Sequence, residues 1–288
     1  MSFGSIYSSI VMKKIFISYG SKSFKDTLKR IKKEAHRLRI FDKVIIYTEK
    51  DLPEWICQSP LFNYAMGGYW LWKPYVILKT MQRYPNALII YADAGCSLNR
   101  KHEEWNNWFY LMEKNEMLVQ AYQPNIDYGW QEKFKTSSIE ISTWTKKNTL
   151  DFFDEKFGTS DWHCFNKIWA GMIIVKHDST LIKEWLDIML SHPELVLEPT
   201  GEELNMQNSE FVMHRYDQSI LTALVYWYIN ENNLKICVIP ETAESMKNAA
   251  VVASRIRMYE PIPLKSKVIG VIKRVIGEKW YSIFHFWR

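Results

Sequence analysis

The chain has 288 residues, 47% hydrophobic and 15% aromatic, enough apolar material for one large core or two small ones. Its formal net charge of +5 at pH 7 is mild and diffuse. It suits an anionic ligand or membrane surface, and without a recognition-helix or zinc-finger pattern it argues for no nucleic-acid partner. Four distant cysteines (Cys57, Cys96, Cys164, Cys237) form no C-x-x-C pair, and no apolar run reaches membrane-spanning length. The first residues lack signal-peptide character, so a cytoplasmic protein is expected.

Lys14 to Tyr19 (KIFISY) reads as a short strand closed by Gly20-Ser21. From Ser23 to Arg39, Phe24, Leu28, Ile31, Ala35 and Leu38 recur at helical spacing. Lys43 to Thr48 (KVIIYT) is a second strand, and strand, helix, strand predicts a parallel sheet. Ligands of such sheets gather at the carboxyl ends of the strands. Ser18, Tyr19 and Ser21 would offer a flat ring and hydroxyls there for a nucleobase and ribose; a plain surface turn is the other reading.

Residues 51–72 are loop-like and aromatic, and Lys73-Pro74 opens a helix through Val76, Ile77, Met81 and Tyr84. Lys73 therefore stands at a helix N-terminus, where it either strengthens an anion site or is simply solvated. Ala87 to Tyr91 is an apolar run suited to a buried strand, and it stops on Asp93-Ala94-Gly95. A carboxylate at the tip of a buried strand is costly unless a cation, donor or water meets it. Gly95 would let backbone approach a ligand closely. Asp93 is read either as ligand-facing or as the cap of the next turn.

Trp105 to Met112 is a surface helix and Met117 to Tyr122 a strand. Pro124 to Trp144 has no clear period, and loops of that length often serve as lids or acceptor-binding segments. Lys147 to Phe157 is helical, Trp169 to Val175 is a strand opening on Ala170-Gly171, and Thr180 to Leu190 is a helix. Ile220, Leu221, Leu224, Val225 and Tyr228 mark a further helix. Its first turn holds Asp217 and Gln218, where the helix dipole alone favours a carboxylate. Lys235 to Ile239 is the last strand. From Leu264 onward one helix side is apolar and the other carries Lys267, Lys273 and Arg274, with Trp280, Tyr281, Phe284, Phe286 and Trp287 at the end. This profile suits an interfacial helix on an anionic membrane surface, or packing onto the parent domain. The chain thus divides into an N-terminal extension (1–12), an α/β domain (13–260) and a basic amphipathic tail (261–288).

Three segments, WLWKPYVILKTMQRYPNALIIYADAG, WAGMIIVKHDSTLIKEW and HRYDQSILTALVYW, stand in an order that resembles GT-A-fold nucleotide-sugar glycosyltransferases of bacterial surface-polysaccharide pathways. The likeness covers roughly residues 13 to 260. It is greatest to the family 8 (LgtC-like, retaining galactosyltransferase) type, with some likeness to family 32. It implies a Rossmann-like, mostly parallel sheet flanked by helices. It also implies that Asp93 matches the first aspartate of the D-x-D motif, which helps hold Mg²⁺ or Mn²⁺ and the sugar nucleotide. Gly95 replaces the second aspartate, so the metal site is incomplete; Ala94 and Gly95 still fall within the nucleotide-sugar site. Ala170-Gly171 is similar to the N-A-G step that faces the sugar, with Trp169 in place of Asn. Asp217-Gln218 is similar to the D-Q pair beside the anomeric carbon. No counterpart of the family's C-terminal metal-binding histidine is found. Ser254-Arg255-Ile256-Arg257 arrives near that point, and if extended it would set Arg255 and Arg257 on one face, able to hold a diphosphate.

The expectation is a membrane-associated glycosyltransferase that moves a sugar from a UDP-hexose to a hydroxyl of a glycan or lipid-linked glycan, in lipopolysaccharide or capsule synthesis. Such transfer passes through an oxocarbenium-like state, which Asp217 would stabilise while Lys73, a divalent metal or the arginines offset the leaving diphosphate. The missing second aspartate motivates the alternative of a sugar-nucleotide-binding protein without transfer. A nucleotidyltransferase is disfavoured, because no Gly-rich basic loop follows the first strand. Polar strand tips argue against a pure scaffold.

Overall fold

The computed structural model describes residues 12–63, 68–177, 179–231 and 233–254. Residues 1–11 of the extension, Arg255, Arg257 and the tail at 261–288 lie outside the described residues. Strands β1 (Lys13–Tyr19), β2 (Lys43–Tyr47) and β3 (Ala87–Ala92) enclose helices α1 (Lys25–Leu38) and α2 (Trp72–Arg83). There follow β4 (Ser97–Leu98), α3 (His102–Lys114), β5 (Met117–Ala121), α4 (Lys147–Phe157) and β6 (Ile168–Lys176). The described chain ends with α5 (Thr180–Ser191), α6 (Asp217–Asn230), β7 (Ile236–Pro240) and β8 (Val251–Val252).

The main sheet has the order β2-β1-β3-β6-β5-β7. β1 runs parallel to β2 and β3, and β7 runs parallel to β5, while β6 is antiparallel to both its neighbours. Five strands therefore share one direction, the mostly parallel α/β sheet that the βαβ pattern predicts. Every residue of β3 is buried, because both faces of the sheet are covered. Ile15, Ile17, Ile89 and Tyr91 face α2, α5 and α6, whereas Phe16, Leu88 and Ile90 face α1 and α3. The small β4–β8 pair is too short to carry a sequence period.

The reversed strand β6 decides where the site lies. Its first residues come to the edge at which β1, β3, β5 and β7 end. It is also irregular there: Leu118 pairs with Ile174, but Gln120 pairs with Trp169, so β6 carries extra residues against β5. Bulges of this kind re-aim backbone groups and are frequent beside active sites. Gly171 sits in the bulge, and a Cβ there would lie 2.3 Å from the Trp169 ring, which folds back over it. Only glycine leaves room for that indole. Among the described residues no helix is long and apolar enough to cross a membrane.

Candidate active site

The loop after β3 is clamped from three sides. Asp93 donates its N–H to the Gly171 carbonyl at 2.9 Å, and its own carbonyl accepts the Cys96 N–H at 2.9 Å. Arg30 of α1 donates to the carbonyls of Ala94 (3.2 Å) and Cys96 (2.9 Å) and to Ser97 Oγ (3.0 Å). Ser254 Oγ donates to the Gly95 carbonyl at 2.8 Å. Six hydrogen bonds hold the loop that carries Asp93 at the end of the strand.

Lys73 leaves the start of α2 and crosses to this loop with its side chain 2% exposed. Its Nζ lies 2.8 Å from Asp217 Oδ2 and 3.5 Å from Asp93 Oδ1, and it donates to the Ala170 carbonyl in the β6 bulge at 3.1 Å. The Tyr91 hydroxyl also donates to Asp93 Oδ1. Burial works to neutralise Lys73, but Asp217 and Asp93 overcome it and hold the amine above its ordinary value. Burial lifts Asp217 to about 6 against the pull of Lys73. The Asp217 Oδ2 contact has ion-pair distance without hydrogen-bond alignment. Lys73 is thus not solvated; it pairs with two carboxylates from distant parts of the chain.

These groups open on a cavity of about 320 Å³. Lys73, Asp93, Gly95, Gly171, Asp217 and Gln218 all line it, six of the residues picked from sequence. Gln218 is 5% exposed, and its Nε2 has no hydrogen-bond partner among the described residues. A buried orphan donor in a cavity wall is ready for a ligand oxygen. Tyr216, just before Asp217, is held at φ 54° and ψ −122°, a region costly for a side-chain-bearing residue. Its ring stacks on Trp70 at 5.3 Å and its hydroxyl donates to Glu198, which keeps the strained turn in place.

Three of the residues picked from sequence, Ser18, Tyr19 and Ala94, do not line this cavity. Ser18 is fully buried and Tyr19 is 3% exposed, and neither lines this cavity. The Tyr19 ring is covered by Trp72 of α2, stacked at 4.2 Å, so it is not free for a nucleobase. Ala94 is buried as well, with its carbonyl tied to Arg30. The donor set falls short of the two-carboxylate clamp for a divalent metal, as the replacement of the second aspartate by Gly95 implies. Asp93 Oδ1 is engaged by Tyr91 and Lys73, Asp217 is engaged by Lys73, and Gly95 contributes no carboxylate. Among the described residues no cluster of three or more possible ligands exists.

Sequence reasoning missed Arg215, which also lines the cavity, although it stands inside HRYDQ two residues before Asp217. It also missed a second cavity of about 430 Å³ that shares Met213, Arg215, Glu244 and Ala253 with the first. There Lys167 is 2% exposed, with Nζ 3.5 Å from the Trp144 ring centre, 3.9 Å from Trp130 and 4.3 Å from Tyr122. Burial, helped by repulsion from Arg215, pushes this amine down to about 6.

No protein-family model matches the chain, and no curated protein matches its sequence. Its fold is similar to those of solved glycosyltransferases. One, involved in glycosylation of the major capsid of PBCV-1, is 11% identical with a TM-score of 0.47, covering 83% of this chain and 92% of the other. Mouse xyloside xylosyltransferase 1 is 12% identical with a TM-score of 0.39, over 79% and 85%. The galactosyltransferase LgtC, solved with donor and acceptor sugar analogues, is 13% identical with a TM-score of 0.35, over 78% and 72%. Identities and TM-scores this low leave the weight on the site's own residues.

Proposed function

We propose that the chain is a glycosyltransferase that moves a hexose from a UDP-sugar to a hydroxyl of a glycan acceptor in lipopolysaccharide or capsule synthesis. The observation that carries this reading is the meeting of Lys73, Asp93, Asp217 and the unpartnered Gln218 amide on one cavity at the carboxyl end of β3. The donor sugar lies over Asp217 and Gln218, and Gln218 Nε2 donates to one of its hydroxyls. As the anomeric bond breaks, positive charge grows on the ring and Asp217 stabilises it. Asp93 orients the sugar nucleotide from its one-third-exposed position. Lys73 keeps Asp217 placed and lends its charge to the side where the diphosphate gains negative charge. Arg215 adds a second cation at the same wall.

Arg255 and Arg257 belong to the same proposal as further diphosphate ligands. In its support, Ser254 bonds to Gly95, which brings the described chain beside the Asp93 loop just before them. The tail at 261–288 would hold the enzyme against an anionic membrane surface where a lipid-linked acceptor resides. The second reading, a sugar-nucleotide-binding protein without transfer, is favoured by the locking of both carboxylates on Lys73. A thermal-shift screen of nucleotide sugars, followed by measurement of UDP release with glycan acceptors, tests both. Stabilisation by a UDP-sugar with release of UDP is expected. Tight UDP-sugar binding with no turnover on any acceptor would leave the second reading, and no response to any nucleotide sugar would remove both.

A further inference from the structure

The second cavity combines three properties that no requirement of folding explains. Lys167 is 2% exposed, and its ammonium has neither a hydrogen bond nor an ion pair among the described residues. Three ring faces surround it, which offsets part of the cost of burying a cation but supplies no counter-charge. Arg215 brings a second positive group to the same void and Lys133 stands exposed at its rim, against the single carboxylate of Glu244 in the lining. Basic groups gathered around a void disfavour one another's charged form until an anion enters to stabilise it. The aromatic wall adds a flat apolar platform: Trp130 and Tyr128 stack at 5.6 Å with an interplanar angle of 7°. Arg215, Met213 and Glu244 line both cavities, so occupants of the two would touch.

We propose that this cavity is an acceptor subsite for an acidic sugar, whose pyranose packs on the aromatic wall while Lys167 and Arg215 bind its carboxylate or phosphate. The assignment as acceptor rests on the transferase reading above; the preference for an anionic sugar does not. A neutral glycan would gain the stacking but offer Lys167 no counter-charge, so charge is the discriminating feature.

Tryptophan fluorescence of the full chain, titrated with methyl β-D-glucuronide, glucose 6-phosphate and methyl β-D-glucoside, tests this, with UDP binding followed in parallel. One anionic sugar is expected to bind at least about tenfold tighter than the neutral one. Preference for the glucuronide assigns a carboxylate, and preference for the phosphate ester assigns a phosphate. Lys167→Met should remove the preference, and Lys133→Glu, a rim substitution that leaves the core intact, should weaken it by roughly threefold. UDP binding should be unchanged in both. Equal binding of charged and neutral sugars, or a preference that survives both substitutions, would overturn the proposal. So would a Lys167→Met variant that loses UDP as strongly as the glucuronide, because the cavity would then hold the donor. An intact anionic preference in a protein that binds no UDP would instead sink the transferase reading and leave the cavity's chemistry standing.

Discussion

Lys73 and Lys167 are equally buried, each 2% exposed, and both reach the edge of the sheet where β6 begins. Their protons are nevertheless held very differently. Lys73 meets two carboxylates and a carbonyl and is held above its ordinary value. Lys167 meets three aromatic faces and a neighbouring arginine and is pushed down to about 6. Burial penalises the charged form in both places, and the partners decide the opposite outcomes. The first cavity is internally neutralised and fixed in geometry, as a reaction centre must be. The second holds an amine that gives up its proton near pH 6 for want of a counter-charge, and an entering anion would draw that proton back.

The comparison breaks most visibly if Lys73 is removed. Lys73→Met leaves Asp217 buried without a counter-charge, which should cost on the order of 3–5 kcal/mol of stability in urea unfolding and abolish activity. Because Asp217 takes a proton near pH 6, the stability deficit should shrink as pH falls through that value. A variant as stable as the wild type at neutral pH would show that the ion pair is not what holds the site together. Asp217→Asn keeps the shape and removes the charge. Turnover should fall by roughly 10³-fold with the donor dissociation constant nearly unchanged, since the charge matters in the transition state. In the wild type, turnover should rise with pH through about 6 as Asp217 ionises, and the variant's residual rate should lack that inflection. Equal losses in turnover and binding would make Asp217 a ground-state binding residue.

Lys167 should behave in the opposite sense. Its value in the folded protein lies below that of the unfolded chain, so the unfolded state binds more protons between about pH 6 and the ordinary lysine range. The contribution of Lys167 to stability therefore rises with pH across that window, by at most ~1.4 kcal/mol per pH unit. Arg215, Glu241 and Glu244 face the amine and remain in the variant. Lys167→Met should be the more stable protein near the lower end of the window, and the wild type should regain about 2 kcal/mol over 1.5 pH units. Melting temperatures of the two proteins measured across that range check this, and parallel curves would mean that Lys167 stays charged in the fold.

Much of the fold was legible because strong periodicity marks it. KIFISY, KVIIYT and ALIIYA become β1, β2 and β3 within a residue or two, α5 and α6 start where Thr180 and Asp217 predict, and α2 starts at Trp72, two residues before Pro74. The reversal of β6 was not legible, since a fully buried strand reads the same in either direction. Asp93, Lys73, Asp217 and Gln218 were found separately at strand and helix ends, but the ion pairs joining them span 20 to 144 residues and leave no local trace. Ser18 and Tyr19 were misplaced because a strand end was read as an exposed edge, whereas Trp72 covers it. Lys167 and Arg215 were missed because the rings that cage Lys167 come from the segment after β5, which has no period to read.

The finest test of the contrast is Tyr91→Phe. The Tyr91 hydroxyl is the second donor to Asp93 Oδ1, beside the more distant Lys73 at 3.5 Å. Asp93 is one-third exposed, so water can replace a lost donor, and the phenylalanine fills the same buried space. The loss should therefore be about 1 kcal/mol of stability. Lys73 keeps its shorter contact to Asp217, so turnover should fall by less than about tenfold, with the change expressed mainly in the Michaelis constant for the donor. Loss of turnover comparable to that of Lys73→Met would mean that tyrosine, and not lysine, fixes Asp93. The first cavity would then owe its order to hydrogen bonding more than to charge pairing, and its contrast with the cage around Lys167 would rest on Asp217 alone.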